Sequence, residues 1–147
     1  MDAIDRPALT LELSRRFNAS PERVFDAWVS NSWGEWLPPA GARCRVAELE
    51  PRVGGRYRLQ MQMGDGRDVA ISGTYREITR PTKLVLDWTG NYNQRMTVLT
   101  ITFRPDGAGT IMTLRQEGFP DEALRDGYKS GWSGPGGSFD KLEQFLS

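Results

Sequence analysis

Apolar residues recur along this chain with two different periods, and the change of period divides it into a mixed entry, a long run of strands and a helical end. Leu9, Leu11 and Leu13 alternate with Thr10 and Glu12, which predicts a first strand reaching about Phe17. Ser20 followed by Pro21 is a helix start, a hydroxyl N-cap before a proline at the first helical position. Val24, Phe25 and Trp28 give that helix one apolar face, and positions 31–37 fit a second short helix stopped by Pro38-Pro39. From Arg43 to Glu117 the period is two. Positions 43–49 read as a strand. Tyr57, Leu59, Met61 and Met63 then alternate strictly with Arg56, Arg58, Gln60 and Gln62, the pattern of a half-buried antiparallel strand.

Gly64-Asp65-Gly66 is a hairpin turn into a strand with Val69, Ile71, Gly73 and Tyr75 on one face, ended by Pro81. Leu84, Leu86 and Trp88 mark the next strand. Leu99, Ile101 and Phe103 alternate with threonines in another, and Met112 and Leu114 lie in the last, after a turn at positions 105–109. Helical spacing returns at positions 121–128 and again in Phe139, Leu142, Phe145 and Leu146. The opposite faces of the strands are strongly polar, so a two-sided sandwich is disfavoured. The prediction is an α+β fold in which helices cover one face of one antiparallel sheet.

Composition changes this picture mainly by exclusion. The 147 residues fit one domain, positions 1–147, and no linker divides them. The charges balance, 19 Lys+Arg against 19 Asp+Glu, which favours neither a nucleic-acid nor an anionic-membrane partner. No apolar stretch approaches membrane-spanning length, and residues 1–7 lack the basic and apolar regions of a signal peptide. Cys44 is the only cysteine, which suits a reducing cytoplasm. Histidine is absent altogether. Imidazole-based triads and His-containing zinc or iron sites are therefore excluded, and the expectation is no metal, no cofactor and no self-contained catalytic group. An enzyme built on this chain would have to draw its acid and base from Asp, Glu, Tyr or Arg.

Several local patterns, taken in order, resemble a known family. They are Arg16-Phe17-Asn18-Ala19-Ser20-Pro21-Glu22-Arg23-Val24-Phe25-Asp26-Ala27-Trp28, Trp36-Leu37-Pro38-Pro39, Pro51-Arg52-Val53-Gly54-Gly55-Arg56-Tyr57, Gly73-Thr74-Tyr75, Gly131-Trp132 and Phe139-Asp140-Lys141-Leu142-Glu143. The chain resembles the bacterial single-domain proteins similar to the activator of the heat-shock-protein-90 ATPase, within the START-like, or Bet v 1-like, helix-grip superfamily. The resemblance implies a curved antiparallel sheet of about seven strands, two short helices, and a long C-terminal helix over the concave face. It also implies a small hydrophobic ligand or a protein client, the alternative being a co-chaperone-like stimulator of a heat-shock ATPase. The eukaryotic activator uses a further N-terminal domain for that task, and no such domain is seen in this sequence. Less favoured is a cyclase or hydrolase that works without histidine. The family often has tryptophan where Leu37 stands and histidine where Gln116 stands, which puts a site relying on that histidine in question. The stretch Ser133-Gly134-Pro135-Gly136-Gly137-Ser138 is also about three residues longer than usual.

The candidate ligand-binding residues are Trp36, Tyr57, Leu59, Met61, Met63 and Ile71 in the first half of the chain. In the second half they are Tyr75, Trp88, Met112, Leu114, Gln116, Trp132 and Phe139. By pattern alone such stripes read as core; the resemblance adds the reading of a cavity wall, for which methionine, tyrosine and tryptophan suit irregular, mostly apolar ligands. Gln116 either orients a ligand by hydrogen bonding or reaches water at a strand end. Asp65, Asp68 and Asp87 read as turn or solvent-facing residues, and Glu77, Asp87 and Arg95 are polar groups that could stand near a pocket. The glycines after Trp132 read as a joint before the last helix, with a gate at the cavity mouth as the functional alternative. The oligomeric state is open.

Overall fold

The computed structural model describes residues 9–92 and 95–147; the N-terminal segment 1–7, read above as no signal peptide, lies outside them. Seven strands form one antiparallel sheet: β1 Leu9–Phe17, β2 Arg43–Leu49, β3 Arg56–Gln62, β4 Asp68–Thr79, β5 Lys83–Gly90, β6 Met96–Asp106 and β7 Gly109–Phe119. Their spatial order is β1-β7-β6-β5-β4-β3-β2, so β2 through β7 form a meander and β1 returns beside the last strand. Each period-two segment became a strand, with the apolar set on one face. Tyr57, Leu59 and Met61 of β3 are buried while Arg56, Arg58, Gln60 and Gln62 are exposed. Register keeps that face continuous: Leu59 pairs with Ile71, Leu86 with Leu99, and Ile101 with Leu114.

Between β1 and β2 lie the short helices α1 (Pro21–Ala27) and α2 (Trp33–Trp36). Ser20 caps α1, its side chain accepting from the Arg23 N–H, and Pro21 opens it. Phe25 meets Phe103 edge-on, with 5.2 Å between ring centroids, which seats α1 on the inner face.

The C-terminal helix over the sheet that the resemblance implied is present as two segments, α3 (Glu122–Ser133) and α4 (Ser138–Leu146), matching the two stretches of helical spacing in the sequence. The helix expected over positions 121–128 continues to Ser133, because Asp121 caps it and Leu124, Tyr128 and Trp132 extend its apolar stripe. It then stops because Pro135 cannot donate to a helical ladder and Gly136 takes a left-handed φ of +71°. The joint is tightly packed. A side chain on Gly137 would lie 2.6 Å from the Gly131 carbonyl oxygen, and one on Gly134 would lie 2.4 Å from that of Ser130. Ser138 donates to the Leu37 carbonyl, and Lys141 Nζ donates to the carbonyls of Pro38 and Pro39 at 2.7 and 3.1 Å.

All five tryptophans of the chain join one aromatic cluster under these helices. Trp28 contacts Trp33, Trp36 and Trp132, the last also touching Trp88. The indole N–H groups of Trp28 and Trp33 are buried with no hydrogen-bond partner among the described residues. Among those residues, no helix is long and apolar enough to cross a membrane.

Candidate ligand cavity

A cavity of about 460 Å³ lies between the β3–β5 end of the sheet and the α3 side of the molecule. That volume falls within the range of small-molecule sites. Its sheet wall is Met61, Met63, Val69, Ile71 and Trp88. The alternation that buries Tyr57 and Leu59 also carries Met61 inward, but at that end of β3 the helices no longer press on the sheet. Its opposite wall is α3, through Leu124, Gly127, Tyr128, Gly131 and Trp132. Gly127 and Gly131 are four residues apart, hence on one helical face. A side chain added at Gly127 would meet nothing within 4 Å. The space exists in part because this face of α3 carries glycine. Leu37, Pro39 and Ala40 close a third side, and Gly134, Pro135 and Ser138 of the joint a fourth.

Of the residues expected to line a cavity, the structure brings Met61, Met63, Ile71, Trp88 and Trp132 together in its wall. It places Trp36, Tyr57, Leu59 and Tyr75 in the packed core instead, and likewise Met112, Leu114, Gln116 and Phe139. The physical reason is that α1, α2 and α4 pack onto the same face of the sheet, α1 on β6 and β7, α2 beside β2 and α4 beside β1. These helices bring Trp28, Trp33 and Leu142 against the same face and fill the volume there. Tyr57 and Tyr75 spend their hydroxyls inside the protein, on the carbonyls of Asp87 (2.5 Å) and Trp28 (3.2 Å).

Gln116 neither faces the cavity nor reaches water. It is fully buried, accepts from Trp132 Nε1 at 3.0 Å and donates to Thr97 Oγ1 at 2.9 Å; that hydroxyl in turn donates to the Trp88 carbonyl at 3.1 Å. The chain of bonds fixes the orientation of the Trp132 indole and ties it to the Trp88 backbone. Asp87 is not solvent-facing either: its side chain is 13% exposed and accepts from the N–H and hydroxyl of Thr74, at 2.9 and 2.6 Å. Glu77 pairs with Lys83, and neither Glu77 nor Arg95 borders the cavity.

Besides Ser130 and Ser138 near the joint, the polar side chains of the cavity stand at one rim. Trp88 Nε1 donates to the Tyr128 hydroxyl at 2.9 Å, and the Tyr128 and Tyr92 hydroxyls are hydrogen-bonded to each other. The Tyr92 ring lies so close over Gly90 that a side chain there would fall 2.0 Å from it. Burial pushes the Tyr128 phenol above its ordinary pKa, whereas Tyr92 is 43% exposed. Arg67 borders the same cavity from the β3–β4 hairpin. The sequence reading missed Arg67 and Tyr92, which sit in turns, and Tyr128, which lies at the end of the helix expected over positions 121–128 and gave no sign there of facing a cavity. It also missed Gly127 and Gly131, whose signal was the i, i+4 spacing of glycines within a helix, where each costs about 1 kcal/mol. Cys44 is half-buried and its thiol is pushed up to about 11 by burial, which keeps it protonated and unreactive. Among the described residues no group of His, Cys, Asp and Glu side chains could hold a metal ion.

No curated protein sequence compared with the chain matches it. Solved structures do. A protein from Chromobacterium violaceum superposes with a TM-score of 0.86 at 29% identity, over 93% of this chain and 96% of its own. The AHSA1 protein of Silicibacter pomeroyi superposes with a TM-score of 0.79 at 23% identity, over 94% of this chain and 97% of its own. One from Mycobacterium smegmatis reaches 0.80 at 21% identity, over 95% and 91%. Residues 18–147 match the model of the family described as activator of Hsp90 ATPase homolog 1-like protein. With the helix-grip arrangement of sheet and helices already in view, that match over most of the chain places the protein in this family.

Proposed function

We propose that this chain is a cytoplasmic binding protein for a small, mostly apolar molecule held between the sheet and α3. The observation that carries the reading is the 460 Å³ cavity walled by Met61, Met63, Ile71, Trp88 and Trp132. Methionines supply an adaptable apolar surface, and the two tryptophans are held rigid by bonds made elsewhere, so little order has to be gained on binding. That every described strand joins one sheet supports reading the whole chain as one START-like domain. The lone, protonated Cys44 suits a reducing compartment. Native mass spectrometry of the purified protein, with titration of Nile red as a neutral apolar dye, tests the proposal. A retained small molecule or saturable dye binding supports it, and neither being seen refutes it.

A second reading comes from the family description: a co-chaperone-like stimulator of a heat-shock ATPase. Its test is the ATPase rate of Hsp90 with and without this protein. An unchanged rate at saturating concentration removes it.

A further inference from the structure

The cavity is lined mostly by apolar side chains; Ser130 and Ser138 stand at the joint, and Arg67, Tyr92 and Tyr128 stand on the side of the β3–β4 hairpin. Arg67 is the only ionic side chain among the described residues that borders it. Its guanidinium is 65% exposed and gives Nε to Asp65 at 2.8 Å, which leaves its two terminal nitrogens in solvent at the cavity mouth, without a further partner among the described residues. The β3–β4 hairpin that carries Arg67 is held beside the turn that carries Tyr92. The Asn91 N–H donates to the Ala70 carbonyl at 3.0 Å, and the Asn91 side chain accepts from the Ala70 N–H at 3.1 Å. Arg67 and Tyr92 therefore stand at the same end of the sheet.

Hydrogen counting adds a second observation. Trp88 Nε1–H, the Tyr128 hydroxyl and the Tyr92 hydroxyl bring three hydrogens to a chain with two bonds, Trp88 to Tyr128 and Tyr128 to Tyr92. Whichever tyrosine donates to the other, one hydroxyl hydrogen is left without an acceptor in that chain. Rim and charge thus agree: both offer donors.

We propose that the cavity selects a carboxylate-headed amphiphile, its apolar tail among Met61, Met63 and Trp88 and its head at the rim between Arg67 and Tyr92. This rests on the reading of the cavity as a ligand site and names the ligand's class. Arg67 supplies two parallel N–H donors, which match a carboxylate better than an alcohol. A head at the rim keeps part of its hydration, so its charge is not stripped of water, while a cationic head meets a like charge.

Displacement of Nile red by decanoate, decanol and decylammonium tests the assignment in the wild type and in Arg67→Gln and Tyr92→Phe. Decanoate is expected to displace the dye at a concentration about tenfold below that of decanol, with decylammonium weakest. Arg67→Gln should abolish the preference for decanoate over decanol, and Tyr92→Phe should reduce it. Added salt should narrow the preference in the wild type, a readout that needs no variant to fold. Equal displacement by all three, or a preference that survives both Arg67→Gln and salt, overturns the assignment but leaves the cavity as an apolar site. Failure of dye and all three amphiphiles to bind overturns the ligand-site reading itself, and this assignment with it.

Discussion

Trp132 and Gln116 are joined inside the core, the indole Nε1–H of the first donating to the side-chain oxygen of the second at 3.0 Å. Both lie in the interior, Trp132 at 3% exposure and Gln116 at 0%. A buried donor that loses its acceptor costs about 1–3 kcal/mol. Gln116→Leu strands the Trp132 N–H and is expected to lower stability by about that amount; Trp132→Phe strands the Gln116 oxygen to similar effect. Because the two losses share one bond, the double variant should be more stable than their sum predicts. Trp132→Ala removes the ring as well and should cost about 3–5 kcal/mol. Urea melts of these four variants and the wild type check this; strictly additive single effects would show that the bond contributes nothing.

Gly73 is a second fixed point. A Cβ on it would lie 2.0 Å from the Asp87 carbonyl oxygen and 2.7 Å from the Tyr57 hydroxyl that donates to that oxygen. Backbone and a buried phenol cannot both retreat, so Gly73→Ala is expected to destabilise by about 3 kcal/mol. The bond also holds the Tyr57 ring against Trp88 in the cavity wall, at 6.1 Å between centroids. Weaker Nile red binding should therefore accompany the loss. A variant that melts with the wild type would contradict the packing.

The strands were legible because half-burial writes itself into alternation: Leu59 inward and Gln60 outward leave no other register. The start of α1 was legible because Ser20-Pro21 carries its own chemistry. Which inward residues meet empty space was not legible. Met61 and Leu59 have the same pattern, and only the position of the helices above them makes one wall and the other core. Gln116 was ambiguous for a related reason. Its partners, Thr97 and Trp132, are 19 and 16 residues away in sequence, and no local pattern announces a polar network. Arg67 was hidden by its setting in a polar hairpin, where an arginine ordinarily means only solvent.

The joint between α3 and α4 leads to a prediction about backbone. Gly136 has φ +71°, and its N–H donates to Asp140 Oδ2 at 2.8 Å. Proline fixes φ near −65° and has no N–H. Gly136→Pro is thus expected to cost about 2–3 kcal/mol rather than to act on ligand exchange alone. Thermal melts beside Nile red release rates separate the two effects; a faster release with an unchanged melt would restore the idea of the joint as a gate.

Asp140 ties the same joint to β1. Its carboxyl is held below the ordinary 3.8 by the Arg15 hydrogen bond first and by the Gly136 N–H second. A depressed carboxyl contributes stability that is complete above its unfolded value and disappears as pH falls through the folded one. The window is therefore acid, below about pH 4. The wild type should lose melting temperature more steeply than Asp140→Asn as pH is lowered through that window, with the variant the less stable of the two at neutral pH. Parallel curves would mean that Asp140 carries no linkage. Arg15 also bonds Glu143 at 2.7 Å, so it keeps a partner in the variant and the comparison reports on Asp140.

Val69 offers the most direct test of the cavity. It stands in β4 on the cavity wall, 8% exposed, paired with Met61 on β3. Replacing it by tryptophan extends a bulky ring from the sheet toward the glycine face of α3, into space the protein leaves unfilled. In a packed core such a change costs about 1–3 kcal/mol through strain, whereas in a cavity the added ring gains apolar contact and finds room. Val69→Trp is therefore expected to melt at or above the wild-type temperature and to bind Nile red about an order of magnitude more weakly. The pairing of the two results matters. Lower stability with unchanged dye binding would place the dye elsewhere and the side chain in packed core. Lower dye binding with unchanged or higher stability is what a ligand site at Val69, Met61 and Trp88 requires.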